Sequence, residues 1–410
     1  MMFWFTISFI TNILGPLIPD IIDNFQLKDL AMAGFIPTSF FLAYAVMSIP
    51  AGLLIDRYGE KPVLFAGFSM PFIGSILFAC MPCYGVLLAS SFIIGLGMAM
   101  LQTVINPLQR VVGGEENYAF VAELAQFVFG AASFVSPLVY AWLIHALSPE
   151  VYVAGQNALL DILASVTPLE LPWVALYWVF TAILAVMLVI VAIARFPHIE
   201  LRDDERSGSS ASYFSLFRQW YVWLFFLGIF CYVATEQGTS VFMSTFLERY
   251  HDIDPRTVGA KCVSWFWGSM TLGCIVGMIA LKLVDSRRLL QVSGILSIAL
   301  LASALFGTAS VATVAFPAIG FCISMMYSIV FSLALNTATA YHGSFAGILC
   351  TGIVGGAGGP LLISLLADMT SLRTGMCLII LFMGYITFIG FWAHPLVANK
   401  TISLRKKGKG

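Results

Sequence analysis

The chain has 410 residues, of which 60% are hydrophobic and 10% are charged, and its mean hydropathy is +0.94. In a soluble domain roughly a quarter of the residues are charged, so this composition excludes an ordinary soluble protein. The net charge of −1 points to no class of charged partner.

Long apolar runs dominate the chain and predict transmembrane helices, because about 20 apolar residues cross the bilayer core. A membrane β-barrel is excluded, since the runs are too long for strands and do not alternate. The runs predict an all-α membrane protein with twelve spans: 3–24, 31–55, 62–81, 84–112, 117–147, 171–195, 218–249, 257–284, 289–308, 311–340, 345–368 and 373–397.

The basic residues predict the orientation of these spans. Fifteen of the twenty Lys and Arg fall on the side that holds both termini, and five fall on the other side. Positive residues concentrate on the cytoplasmic side, so both termini are expected in the cytoplasm. The first span begins near Met1 without a basic segment before it, so no cleavable signal peptide is expected.

The first two spans carry the first functional candidates. Ser8, Asn12, Gly15 and Pro19 share one helical face of span one, and Asn12 is a candidate solute ligand. After span two, the segment GLLIDRYGEK (52–61) fits the G-x-x-x-D-R-x-G-R-K signature of the major facilitator superfamily, with Glu60 at a usually basic position. Asp56 and Arg57 are therefore expected at a cytoplasmic gate. The alternative is a turn that only sets the topology.

Span four contains a polar stripe in LQTVINPLQR (101–110). Gln102, Asn106 and Gln109 fall at i, i+4 and i+7, which places them on one face of a helix. Amides donate and accept hydrogen bonds, so Gln102 and Asn106 suit the hydroxyl groups of a solute. The alternative is that the stripe joins helices by hydrogen bonds.

Span five places Glu123 and Gln126 on a face of small and polar residues typical of a helix that lines a cavity. Ionisable residues inside spans are rare and costly, so Glu123 is a candidate proton carrier and Gln126 a candidate solute ligand. An ion pair between Glu123 and Arg110 is the alternative.

A polar segment, HIELRDDERSGSSAS (198–212), separates spans six and seven. It predicts a flexible cytoplasmic linker over 198–215 between a six-helix half at 1–197 and a second half at 216–398, with a basic tail at 399–410. The segment ALKLVDSRRLL (280–290) after span eight echoes the segment after span two. Two related halves are typical of transporters that alternate access to a site near the middle of the membrane.

Span seven places Tyr232, Glu236 and Ser240 on one face, with Gln237 beside them. Glu236 is a candidate solute ligand and proton carrier, and Tyr232 and Gln237 are candidate solute ligands. A glutamate that only joins helices is the alternative.

The later spans add weaker candidates. Asn336 in span ten is a further candidate solute ligand, while four aromatic residues could stack on a sugar or simply pack: Trp265, Trp267, Tyr327 and Phe331. Gly273, Gly277 and the run GIVGGAGGP predict close helix packing. The CMPC motif at Cys80 and Cys83 has no second cysteine pair or nearby histidine, so it predicts neither a metal site nor a certain disulfide.

Several segments together resemble the fucose/glucose/galactose permease family, namely LQTVINPLQ, AELAQFVFG, CYVATEQGTSVFMSTFL, FCISMMYSIVFSLAL and GSFAGILCTGIVGGAGGPLLISLLAD. The resemblance implies the major facilitator fold and import of a sugar with a proton. Many members have a glutamate at the place of Gln102 and an aspartate near that of Asn12. Proton coupling in this chain therefore needs another group, or is absent.

The sequence thus predicts a secondary transporter in a bacterial inner membrane, importing a monosaccharide or similar small polar solute with a proton. An exporter, or a carrier of another solute in the same superfamily, is the alternative. No nucleotide-binding or catalytic motif occurs, so neither an enzyme nor a cofactor is expected. We also expect a monomer that has the lipid bilayer as its surroundings and no nucleic-acid partner.

Overall fold

The computed structural model describes residues 1–11, 14–27, 30–148, 151–155, 157–168, 170–194, 210–253, 258–397, 399 and 401. In these ranges the secondary structure is helical, without β-strands. Asn12, residues 198–209 of the predicted linker and nearly all of the predicted tail lie outside the described residues. The side chain of Asp56 lies outside them as well, although its backbone belongs to a helix.

Among the described residues, eight α-helices precede the predicted linker: α1 Met2–Thr11, α2 Leu14–Phe25, α3 Leu30–Tyr58, α4 Glu60–Cys80, α5 Tyr84–Gly113, α6 Tyr118–Ala146, α7 Ala158–Val166 and α8 Ala175–Ile193. Nine more begin at Ser210 or later, the first of them inside the predicted linker: α9 Ser210–Phe217, α10 Trp220–His251, α11 Ala260–Leu283, α12 Ser286–Phe306, α13 Ala309–Ile323, α14 Met326–Thr337, α15 His342–Thr351, α16 Gly355–Met369 and α17 Leu372–Trp392.

The described residues contain 11 helical segments that are long and apolar enough to cross a membrane, where the sequence predicts twelve spans. The difference falls on the first predicted span. There α1 has 10 residues and α2 has 12, and residues 12–13 between them are outside the description. Neither helix alone reaches the roughly 20 residues that a bilayer core requires.

Two helices occur where the sequence predicts none. Helix α7 lies in the loop between spans five and six, and Asn157 begins it by accepting hydrogen bonds from the N–H groups of Leu159 and Leu160. This is an N-cap of the usual chemistry. Helix α9 shortens the predicted linker, because the segment from Ser210 buries Tyr213 and Leu216 and so folds with the second half.

The described chain divides into two compact units. One contains Met1–Val104 and Ala131–Glu200, and the other contains Ile105–Gly130 and Leu201–Gly410. The division differs from the predicted linker boundary, since the last residues of α5 and the first half of α6 group with the second unit.

The predicted glycine run packs closely, as its sequence indicates. A side chain at Gly355 would collide with the carbonyl group of Phe230, and one at Gly359 would collide with Ala234. Both contacts bring α16 against α10 at backbone distance, which only small residues permit.

The signature segment after span two forms the tight turn between α3 and α4. Gly59 has a positive φ of 80°, a conformation that glycine adopts at little cost, and its N–H donates to the carbonyl oxygen of Ile55 at 2.7 Å. Lys61 then donates from Nζ to the carbonyl oxygens of Ala192 and Ala194 at 3.0 and 2.9 Å. A cation thereby meets the carbonyl groups at the end of α8.

The corresponding segment of the second half makes the same kind of contact. Asp285 begins α12 by accepting from the N–H of Arg287 at 2.9 Å. The guanidinium group of Arg287 donates to the carbonyl oxygens of Gly390 and Phe391, at 3.3 and 2.9 Å, at the end of α17. In each half, a basic residue near the start of the third-span helix (α4 or α12) holds the end of the last helix (α8 or α17).

Candidate functional site

The polar stripe of α5 begins with Gln102 in the first unit. Its Nε2 donates to the hydroxyl oxygen of Tyr44 in α3 at 3.0 Å, and both side chains are buried. Tyr44 was not predicted as a site residue. A tyrosine in the middle of an apolar span is itself a signal, because a buried phenol hydroxyl requires a polar partner.

Span one contacts α6 within the first unit. Ser8 and Ser133 share a buried hydrogen bond of 2.8 Å, and the hydroxyl of Ser136 donates to the carbonyl oxygen of Phe9 at 2.7 Å. Ser8, the first member of the predicted stripe, therefore joins two helices. The candidate ligand Asn12 lies outside the described residues.

Asn106, the second amide of the stripe, belongs to the second unit. It is buried, and its Nδ2 lies 3.7 Å from the Sγ of Cys350 in α15. Sulfur is a weak acceptor, so this contact orients the amide without providing a strong hydrogen bond. No role was predicted for Cys350 from the sequence.

The predicted trio of α10 is brought together. The hydroxyl of Tyr232 donates to Oε2 of Glu236 at 2.9 Å, and Nε2 of Gln237 donates to Oε1 at 3.1 Å. Tyr232 is buried and Glu236 as a residue is half-buried. Two donors fix the orientation of this carboxyl group.

Aromatic rings of α14 extend this group. The ring of Tyr327 lies 5.6 Å from that of Tyr232 and 5.5 Å from that of Phe331. Among the other aromatic candidates, Trp265 is 65% exposed and turns away from the core of its unit, and Trp267 is half-buried. The position of Trp265 is typical of a residue that faces lipid.

Glu123 of α6 is fully buried, and its surroundings come from α11 and α14. Its carboxyl group lies beside Cys274, Gly277 and Ser328. Among the described residues, no group meets hydrogen-bond geometry with either of its oxygens. Gln126, three residues further along α6, is half-buried.

The alternative ion pair between Glu123 and Arg110 is not formed. Arg110 is buried and donates from Nε to Oδ1 of Asn336 at 3.3 Å. Asn336 in turn donates from Nδ2 to the carbonyl oxygen of Val397 at 3.4 Å. These contacts connect helix ends through Asn336, and the solute contact predicted for Asn336 stays a prediction.

The predicted gate is described only in part. Arg57 is exposed, with its guanidinium carbon 5.3 Å from the ring centre of Tyr58. Among the described residues, no group of three or more metal-binding side chains occurs. All eight cysteines are free, so Cys80 and Cys83 are exposed thiols that do not form a disulfide.

Comparison with known proteins gives three likenesses. A glucose/galactose transporter of Brucella abortus biovar 1 (strain 9-941) is 30% identical over 396 residues, covering 94% of this chain and 91% of that protein. The L-fucose-proton symporter of Escherichia coli (strain K12) is 26% identical over 379 residues, covering 86% and 82%. A crystal structure of a variant of the E. coli fucose:proton symporter FucP matches with a TM-score of 0.78 at 20% identity, over 96% of this chain and 97% of that one.

At 20% identity the FucP likeness shows the fold alone, and that fold agrees with the helical membrane architecture predicted from the sequence. The model of the Major Facilitator Superfamily matches residues 2–353, which is most of the chain. The chain therefore belongs to the Major Facilitator Superfamily and is a multi-pass membrane transporter, not an enzyme.

Proposed function

We propose that this transporter imports a monosaccharide, or a small polar solute of similar hydroxyl pattern, together with a proton. The observation that carries the proposal is the Tyr232–Glu236–Gln237 group of α10, in which two donors orient the carboxyl group. The names of the relatives, a glucose/galactose transporter and an L-fucose-proton symporter, support the solute class and the coupling ion.

The amides and carboxyl group of the candidate site match the chemistry of a sugar. A sugar presents hydroxyl groups that donate and accept, and apolar ring faces that stack on aromatic side chains. Glu236 offers acceptor oxygens, Gln102, Asn106, Gln126 and Gln237 offer both kinds of group, and Tyr327 offers a ring. Asn12 completes the set of proposed solute ligands from the sequence.

The carboxyl groups of Glu236 and Glu123 suggest a division of roles. Glu236 has two donors that orient it for solute. Glu123 is buried, and within the described part of the chain no donor meets hydrogen-bond geometry with its oxygens, although Ser328 lies beside it. The titratable groups near it are Cys274 of α11 and Tyr232 of α10. Burying an isolated ionised carboxylate is strongly unfavourable, whereas a protonated one carries no charge. We therefore assign proton transfer to Glu123 together with Glu236.

The proposed setting follows from charge placement. From the excess of Lys and Arg at one side of the predicted spans we infer that both termini lie in the cytoplasm of a bacterium and that the transporter lies in the inner membrane. Asp56 and Arg57 then lie at the cytoplasmic rim, where they would gate alternating access.

The decisive experiment is uptake into proteoliposomes with an imposed pH gradient, acid outside. A panel of radiolabelled monosaccharides, including glucose, galactose and fucose, should contain at least one that accumulates against its own gradient. A protonophore should abolish the accumulation and leave equilibrium exchange intact. Accumulation of no sugar, or accumulation that ignores the protonophore, would contradict proton-coupled sugar import. Outward movement only would favour the exporter alternative.

A further inference from the structure

The chain does not end with its last helix. Residues 393–397 and 399, which we call the C-terminal strap, follow α17 and contact two other parts of the second unit. The strap meets the end of α14 through Asn336, and it meets the turn between α11 and α12 through Asn399. Both contacts involve polar groups at helix ends, where backbone groups otherwise lack partners.

Asn336 connects the strap to α5. Its carbonyl oxygen accepts from the N–H of Leu396 at 2.7 Å, and its Nδ2 donates to the carbonyl oxygen of Val397 at 3.4 Å. Its Oδ1 accepts from Nε of Arg110 at 3.3 Å, and both side chains are buried. One asparagine thus holds the strap on one side and the end of α5 on the other.

Asn399 fastens the other end of the strap. Its Oδ1 accepts from the N–H of Ser286 at 3.0 Å, at the start of α12. Its Nδ2 donates to the carbonyl oxygens of Leu281 and Val284 at 2.9 and 3.2 Å, at the end of α11. The single side chain therefore satisfies backbone groups from both helices at this turn.

A third contact joins the same two regions. Lys282, at the end of α11, donates from Nζ to Oδ1 of Asn117 at 2.6 Å, just before α6. The segment 105–130, which contains the α5–α6 turn, is thus held by α11 through Lys282 and by α14 through Asn336. The strap bonds to both of those helix ends.

We propose that the C-terminal strap is a latch. Through the positioning residues Asn336 and Asn399, it holds the ends of α11 and α14 in the arrangement that receives Asn117 and Arg110. The segment 105–130 separates from α11, α14 and α15 only when this arrangement loosens. The proposal rests on alternating access, because a transporter of that kind must break closed contacts in each cycle.

A native thiol can report the opening. Cys350 of α15 is fully buried, and its Sγ lies 3.7 Å from Asn106 of the segment 105–130. Movement of that segment uncovers the thiol. Cys322 of α13 is also buried. Among the described residues no hydrogen bond joins it to the segment 105–130, so its alkylation reports general unfolding.

The test measures alkylation of the purified full chain by a small maleimide, with peptide-level mass spectrometry of Cys350 and Cys322. Asn399→Ala removes three hydrogen bonds and should raise the rate at Cys350 about tenfold, because the rate follows the open population. Asn399→Asp keeps the acceptor for Ser286 and loses the two donated bonds. Its alkylation rate at Cys350 should therefore lie between those of the parent and of Asn399→Ala. Asn336→Ala should raise the alkylation rate at Cys350 by about as much as Asn399→Ala does.

Asn157→Ala is the matched control, since it removes an asparagine that bonds two backbone N–H groups in the first unit. In this variant Cys350 should be alkylated at the same rate as in the parent. Equal Cys350 rates in the parent and in both Asn399 variants overturn the latch, and so does a parallel rise at Cys322. Alkylation needs neither solute nor proton gradient, so this failure is distinguishable from failure of the symport proposal.

Discussion

The side-chain amide of Gln102 donates to the hydroxyl oxygen of Tyr44 at 3.0 Å, which joins α5 to α3 inside the first unit. This bond fixes which way the first amide of the α5 stripe points. A positioned amide is a better ligand than a free one, because less rotamer entropy is lost when the solute binds.

We therefore expect Gln102→Ala to weaken solute binding about tenfold or more, and Tyr44→Phe to weaken it less, since the amide remains but loses its orientation. Isothermal titration with the transported solute measures both. Gln219→Ala, at an exposed position before α10, is the matched control and should bind as the parent does. If Gln102→Ala also binds within twofold of the parent, the amide only joins helices.

Asn106→Ala should likewise reduce affinity about tenfold while the protein remains folded, because the amide is buried and its partner Cys350 is a weak acceptor. Cys350→Ala removes that partner without removing the amide, and should bind within about threefold of the parent. The same affinity in both variants and the parent would assign Asn106 to packing. Retained expression and a monodisperse elution profile show that neither change disrupts the fold.

Asp56→Asn should slow transport with little change in affinity, since the proposed place of Asp56 is the cytoplasmic rim. Initial uptake rates and equilibrium binding separate the two effects. Gly59→Ala tests the same turn differently, because a side chain at φ 80° is strained and should lower stability by about 1 kcal/mol. A large affinity loss in Asp56→Asn with unchanged turnover would move that residue to the solute site.

Glu236→Gln and Glu123→Gln separate solute binding from proton transfer. The amide preserves hydrogen-bonding shape and removes the proton-carrying group. We expect both variants to lose uptake driven by a pH gradient and to retain exchange of solute down its own gradient. Glu236→Gln should also weaken solute binding, because the carboxyl group itself contacts solute in the proposed site, whereas Glu123→Gln should not.

The control for this pair is Glu248→Gln, at an exposed position near the C-terminal end of α10. It should accumulate solute as the parent does. If Glu236→Gln still accumulates solute, proton transfer belongs to Glu123 alone. If Glu123→Gln still accumulates solute, Glu236 is sufficient for proton transfer.

Hydropathy predicted most helices closely, because burial in lipid imposes one strong signal. The predicted span 84–112 is α5 at Tyr84–Gly113, and 117–147 is α6 at Tyr118–Ala146. Predicted span ten was divided in the structure, with α13 ending at Ile323 and α14 beginning at Met326. An apolar run does not reveal such a break, since every residue on both sides of it is compatible with lipid.

Local spacing predicted local groups of the site. Tyr232 and Glu236 are four residues apart on one helix, and they form the hydrogen bond that this spacing allows. Partners distant in sequence were missed, among them Tyr44 for Gln102 and Val397 for Asn336. Helical periodicity gives the face of a residue but not the helix that this face meets.

The contact between Glu123 and Gly277 links the identities of two positions far apart in sequence. A Cβ at position 277 would lie 3.1 Å from Oε1 of Glu123 and 3.3 Å from the Cβ of Met325. A side chain at position 277 would therefore press against the carboxyl group. Among related transporters, chains that keep glutamate at the first position should keep glycine at the second, and chains with a smaller residue at the first should accept alanine or serine there. An alignment of the family should therefore show paired changes at these two positions wherever the buried carboxyl group was gained or lost.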